Sequence, residues 1–178
     1  VVASGGLSIP TLGGSGFGYQ LAEQFGHHVY PTRAGLVPFT FSDQFKQVTT
    51  RLSGNALDVV LENDQAAFNE ALLFTHRGLS GPSALQLSNY WQAGQSFKIN
   101  FFPQLELAEW LKAKKSSQPK VLIRTLLAEL MPKSVVLELQ QLIWPIHADT
   151  AIAQLSDDIL AQIATQLHGF EVKPSGTE

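Results

Sequence analysis

The apolar positions of this chain change period twice, and each change marks a boundary. From Val1 to about Ala34 the chain is rich in glycine and holds one helical stretch. Tyr19, Leu21, Ala22 and Phe25 fall at helical spacing there, and Gly26 follows as a stop. Residues 35–103 read mostly as β. Leu36–Phe41 predicts a short strand that Pro38 confines to an edge. Gln47–Leu52 and Ala56–Leu61 flank Ser53-Gly54-Asn55, which predicts a hairpin, and Asn63-Asp64 makes the next turn. Glu70–Thr75 reads as a buried strand, and Ser96–Phe101 alternates cleanly. One helix interrupts this region. Proline at its first position, Pro82, costs nothing, Leu85, Leu87 and Trp91 follow, and Gly94 ends it.

Residues 104–168 switch to a helical period. Leu105, Ala108 and Leu111 mark one helix, and Val121, Leu122, Leu126 and Leu130 a second that Pro132 stops. Val135, Leu139, Leu142 and Ile143 mark a third that Pro145 stops. Asp149 is placed to cap a short fourth segment. Ser156 caps the last helix, with Asp157 and Asp158 in its first turn and Ile159, Leu160, Ile163 and Leu167 on its apolar face. Phe170-Glu171-Val172 turns β again. Strands followed by a run of helices argue for an α+β fold with a β-rich and a helical subdomain.

The beginning of the chain changes this picture. Val1-Val2-Ala3-Ser4-Gly5-Gly6 reads as the end of a buried strand that delivers backbone to a ligand, with nothing upstream to pair with it. The expectation is a segment of a larger protein. Charged residues are only 15%, against about 25% in ordinary domains. Such a modest solvent face fits a body that meets a partner domain. The net charge of −3 gives no electrostatic case for nucleic acid, which is expected to be absent from the partners. There is no cysteine, which fits a reducing compartment, and no signal peptide or membrane-length apolar run appears. A cytoplasmic location with no membrane partner is expected.

Candidate chemistry is sparse. Gly13–Gly18 has the wrong spacing for a dinucleotide fingerprint and lacks the Gly-Lys-Ser/Thr end of a P-loop. Its glycines serve either as a flexible entry to the helix or as a place where a ligand approaches free backbone N–H groups. Gly78-Leu79-Ser80-Gly81-Pro82 fails as a nucleophile elbow because Pro82 stands where glycine is needed, so a serine hydrolase is excluded. His76 and Arg77 close an apolar strand. They are either ordinary turn residues or groups facing a substrate pocket. The other histidines, His27, His28, His147 and His168, have no metal-ligand spacing.

Three segments, taken in order, carry a family resemblance. Ala3-Ser4-Gly5-Gly6-Leu7-Ser8-Ile9-Pro10 runs into Gly14-Ser15-Gly16-Phe17-Gly18-Tyr19, then Gly26-His27. Leu36-Val37-Pro38-Phe39 follows. Leu73-Phe74-Thr75-His76-Arg77-Gly78-Leu79-Ser80-Gly81-Pro82 is the third and most diagnostic. Together they resemble a bacterial flavoprotein family of NAD(FAD)-utilising dehydrogenases similar to aminoacetone oxidase.

The resemblance implies a Rossmann-like FAD-binding domain interrupted by an insertion with a β-barrel-like part and a helical bundle. Residues 1–34 would be a remnant of the FAD domain, 35–103 the β-rich part of the insertion, 104–168 its helical part, and 169–178 a return strand toward the FAD domain. The family's Ala-Thr-Gly-Gly turn lies against the flavin nucleotide and matches Ala3, Ser4, Gly5 and Gly6. Ser4 replaces threonine and keeps the hydroxyl. The family's main dinucleotide fingerprint has no counterpart here, so this segment alone is expected not to retain FAD. The implied function is a capping part of an FAD-dependent oxidoreductase, using NAD(P)H or oxygen, that shapes the pocket of a small-molecule substrate. Its first partner would be the remainder of its own FAD domain. His76 and Arg77 would reach that pocket, Arg77 being suited to an anionic group. No catalytic residue is assignable. The competing reading is a stand-alone, non-catalytic binding or scaffold module.

Overall fold

The computed structural model describes the backbone of residues 1–178 and every side chain except that of Pro10. The chain divides into two compact units, Val1–Ala34 and Gly35–Glu178. In the first, α1 spans Phe17–Gln24. Val1–Gly6 forms no strand, and Val1 and Val2 are exposed, which corrects the buried strand expected there. An isolated strand without a ladder partner is unstable in water.

The second unit is built on one antiparallel sheet. Its strands are β1 (Phe39–Thr40), β2 (Ala56–Glu62), β3 (Ala67–Phe74), β4 (Gly78–Ser80), β5 (Phe97–Asn100), β6 (Phe170–Val172) and β7 (Gly176–Thr177). They lie in the order β6-β5-β2-β3-β4-β1-β7. The two edge strands are therefore consecutive in sequence. Only Lys173-Pro174-Ser175 separates them, so the sheet must curl until its edges meet, giving the barrel-like form. The Ser175 N–H donates to Thr40 O at 2.9 Å and continues the closure. Pro174 sits at the bend, where no ladder donor is needed. Within this chain residues 169–178 pair with β5 and β1.

The helices are α2 (Gln44–Arg51), α3 (Pro82–Leu87), α4 (Leu107–Ser117), α5 (Ile123–Leu127), α6 (Lys133–Ile143) and α7 (Asp157–His168). Strands and helices feed one contiguous apolar cluster, from Phe39, Leu61 and Leu72 in the sheet to Leu111, Leu126 and Leu160 in the helices. The α+β expectation holds, with a barrel-like sheet and a helical layer. Among the described residues no helix is long and apolar enough to cross a membrane.

One element reverses its expected type. Of Gln47–Leu52, read as a strand, Gln47–Arg51 lies in α2 and Leu52 is its C-cap. The Asp43 side chain caps that helix by accepting the Phe45 N–H at 3.0 Å. The hydroxyls of Thr49 and Thr50 both donate to the Lys46 carbonyl, at 3.1 and 2.7 Å, so the β-branched pair is satisfied inside the helix. Val48 and Leu52 are buried one turn apart. A cap and a buried face outweigh a β propensity worth a fraction of a kcal/mol per residue. Ser53–Asn55 accordingly joins a helix to β2 and closes no hairpin. Asp149 does not cap its segment either; it pairs with Arg124 at 2.8 Å.

Candidate functional site

The first group of expected site residues is Ala3, Ser4, Gly5 and Gly6, in the Val1–Ala34 unit. Gly5 has φ +71°, which favours glycine. A side chain on Gly14 would collide with the Gly6 carbonyl, so the glycine-rich run and the Ala3–Gly6 segment touch backbone to backbone. The Ser4 hydroxyl is buried and has no hydrogen-bond partner. Among the described residues the amides of Gly5 and Gly6 donate to nothing. An orphaned buried hydroxyl beside two unengaged N–H groups is a donor set that fits an oxygen-rich ligand such as the ribose or phosphate of a nucleotide.

The second group, His76 and Arg77, lies in the barrel unit at the tip of the β3–β4 turn. Thr75 and Gly78 close that turn. The Gly78 N–H donates to Thr75 Oγ1 at 3.1 Å, and the Thr75 N–H donates to Gly78 O at 2.8 Å. Both tip side chains are exposed. The Arg77 guanidinium is paired with the Glu178 carboxylate. A cleft of about 230 Å³ opens beside this pair, lined by Thr40, Phe41, Lys46, Arg77, Thr177 and Glu178. Lys46 and Glu178 were missed in the sequence. Lys46 lay next to a segment read as a strand, and only the helical assignment of α2 turns it toward the turn residues. A larger hollow of about 440 Å³, between Glu62, Lys98 and Glu171, contains none of the expected residues.

His168 Nδ1 lies 3.0 Å from Asn100 Oδ1 and ties α7 to β5. The Trp91 indole donates to Gln95 O at 2.7 Å while its ring packs on Phe39. Lys112, Lys114 and Lys115 are each paired with a carboxylate at 2.6–2.8 Å. Among the described residues no group of His, Asp and Glu could hold a metal ion.

Comparison with known families decides the assignment. The family described as HI0933-like protein barrel and H2TH domain matches residues 33–178. The chain belongs to this family. HI0933-like proteins are a flavoprotein family, so the coarser part of the resemblance stands. The barrel in the family's description agrees with the sheet closure seen here.

Two curated relatives are similar to this HI0933-like chain along its whole length. The ribosomal RNA dihydrouridine synthase of Escherichia coli is 43% identical over 179 residues, covering 100% of this chain and 44% of the relative. That of Haemophilus influenzae is 44% identical over 180 residues, with the same coverage. The chain thus spans less than half the length of these relatives. Their names carry RNA as substrate, which overturns the expectation that nucleic acid is excluded. That expectation rested on a net charge averaged over the chain. Phosphate contact requires only a local group of cations, and a net value hides it.

Proposed function

We propose that the protein carrying this chain is an FAD-dependent oxidoreductase that reduces a uridine base in RNA, with ribosomal RNA as its substrate class. The observation that carries this reading is the 43–44% identity, over all of this chain, to two proteins named as ribosomal RNA dihydrouridine synthases. The donor set at Ser4, Gly5 and Gly6 supports the cofactor half of it. These residues would hold the nucleotide part of FAD, Ser4 through its hydroxyl and the glycines through their N–H groups. Bound and reduced, FAD supplies a hydride equivalent.

Saturating the C5–C6 bond of uracil takes one hydride and one proton and leaves every other bond of the base in place. A stacked base cannot meet a flavin plane, so the RNA must present its uridine unstacked. In this reading the barrel and helical layer cap the flavin and shape the pocket. His76 and Arg77 stand where RNA is received, with Arg77 positioning a phosphate and no proton transfer assigned to either. Residues 1–34 belong to the flavin domain and the barrel unit is its insertion. The setting is the bacterial cytoplasm, where ribosomal RNA is found.

The test uses the whole protein, purified and saturated with FAD. It is incubated with uridine-containing ribosomal RNA and a reductant, and the nucleosides are resolved by mass spectrometry. The expected product is a uridine heavier by two hydrogens, formed only when flavin is present. Ser4→Ala should lower the flavin content of the purified protein. Flavin-loaded protein that leaves all uridines unreduced would overturn the assignment.

A further inference from the structure

The cleft beside Arg77 is lined only by residues of the barrel unit. Two cations, Lys46 and Arg77, line it together with Glu178, whose side-chain carboxylate pairs with Arg77. The other nearby acid, Asp43, is already engaged as the cap of α2. The cleft is also held in place before any ligand arrives. The Thr50 hydroxyl lies 2.7 Å from the Lys46 carbonyl and 3.1 Å from the His76 carbonyl, so one group ties α2 to the β3–β4 turn. The Arg77 carbonyl accepts the Phe41 N–H at 3.2 Å, and the Glu178 N–H donates to Pro38 O at 3.1 Å.

The Arg77–Glu178 pair is solvent-accessible, with 58% and 39% of the two side chains exposed. An exposed ion pair contributes little to stability. Its carboxylate occupies the fork of a guanidinium, the geometry in which arginine also receives a phosphate. Arg51, Lys112, Lys114, Lys115 and Arg124 already hold carboxylates elsewhere on the fold. Lys46 has no carboxylate partner among the described residues and stands ready to add a second charge.

We propose that the Lys46–Arg77 cleft binds one phosphodiester of the RNA substrate, and that the Glu178 carboxylate occupies this position until the RNA displaces it. This rests on the RNA-reducing function proposed above and names the contact that would recognise the backbone. The contact is sequence-independent, so it orients the strand and leaves base choice to the pocket.

The experiment measures binding of the full-length, FAD-loaded protein to a short uridine-rich single-stranded RNA by fluorescence anisotropy over a range of salt. Arg77→Gln and Lys46→Gln should each weaken binding about tenfold, as expected for loss of a charged hydrogen bond. Each should also flatten the slope of log affinity against log salt by about 0.7. Glu178→Gln should tighten binding several-fold, a sign that general damage to the fold cannot produce. Unchanged affinity and slope in all three variants, in a protein whose wild type still reduces uridine, overturns the cleft and leaves the function standing. Loss of flavin in Arg77→Gln, with RNA affinity per flavin-loaded molecule unchanged, also overturns it, because the phosphate served would then be the cofactor's. A wild type that neither binds nor reduces RNA overturns both.

Discussion

Arg51 and Glu138 form a two-pronged bond across the barrel unit, Nε to Oε1 at 2.6 Å and Nη2 to Oε2 at 2.8 Å. The hydrogen bonds that Arg51 donates to Glu138, more than the charge of Glu138 alone, raise the Arg51 pKa above its ordinary value. The pair fastens α2, which borders the cleft, to α6 in the helical layer. Ser134 adds a second tie, its hydroxyl 3.1 Å from Asn55 Oδ1. Arg51→Lys keeps the charge and loses the fork. It should lower the melting temperature slightly, and Glu138→Gln should do the same. In a double-mutant cycle the coupling between the two should shrink as salt rises. Coupling that is indifferent to salt would show that packing, not charge, joins the helices.

Gly78 is required by close approach. A Cβ there would collide with the Phe39 carbonyl and press on the Phe41 ring, because β4 pairs with β1 at Thr40↔Gly78. Gly78→Ala should cost about 2–4 kcal/mol, measured by urea unfolding. Gly54 is the control. It has φ +92°, and no atom lies within 4 Å of the place a Cβ would take, so Gly54→Ala should cost only the roughly 1–2 kcal/mol of a left-handed backbone. Equal losses at the two sites would remove the crowding argument.

Phe39 anchors the closure of the sheet. It is fully buried, with its ring 4.7 Å from Phe97 and 5.5 Å from Trp91, centroid to centroid. Phe39→Ala should destabilise the protein by about 3–5 kcal/mol, and Phe39→Leu by clearly less, since it leaves a smaller cavity. Trp91 fluorescence should shift in both variants and report the loosened contact. A cost below about 1 kcal/mol for the alanine variant would mean that the barrel closes without this ring.

How legible the chain was depends on how local each signal is. Ser156 announced its helix because a cap acts over three residues, and its side chain does accept the Ile159 N–H. Pro82 and Pro132 bounded helices for the same reason, through their own rings. The strand Leu36–Phe41 shrank to Phe39–Thr40 because its partners, β4 and β7, are short, and pairing length belongs to the partner as much as to the strand. Barrel closure was legible only through the family resemblance, and not in the periodicity, for a related reason. It depends on β6 and β7 reaching opposite edges of one sheet by pairing with β5 and β1, strands that lie far back in the sequence. At the candidate site, Arg77 was legible as an exposed cation beside a strand end. Lys46 was not, since its position follows from α2 being a helix. Glu178 was not, since only β7 brings it to Arg77.

Asp157 makes the stability of the helical layer sensitive to acid. Its Oδ1 lies 2.7 Å from Lys115 Nζ, joining the first turn of α7 to α4. The hydrogen bond from Lys115, followed by the charges of Lys115 and Lys112, holds the Asp157 carboxyl below its ordinary pKa. Its position at the positive end of α7 also favours the ionised form. The folded protein therefore releases this proton more readily than the unfolded chain does. The stabilisation is fully present above the ordinary carboxylate value of about 3.9 and is lost as pH falls through the lower folded value. Asp157→Asn removes the ionisation and keeps the shape. The wild type should melt above the variant by a constant margin at neutral pH, and the two curves should converge in acid. High salt should narrow the neutral margin, because the pair is exposed. A margin that survives both acid and salt would assign the effect of Asp157 to its hydrogen bonding at the helix start rather than to its charge.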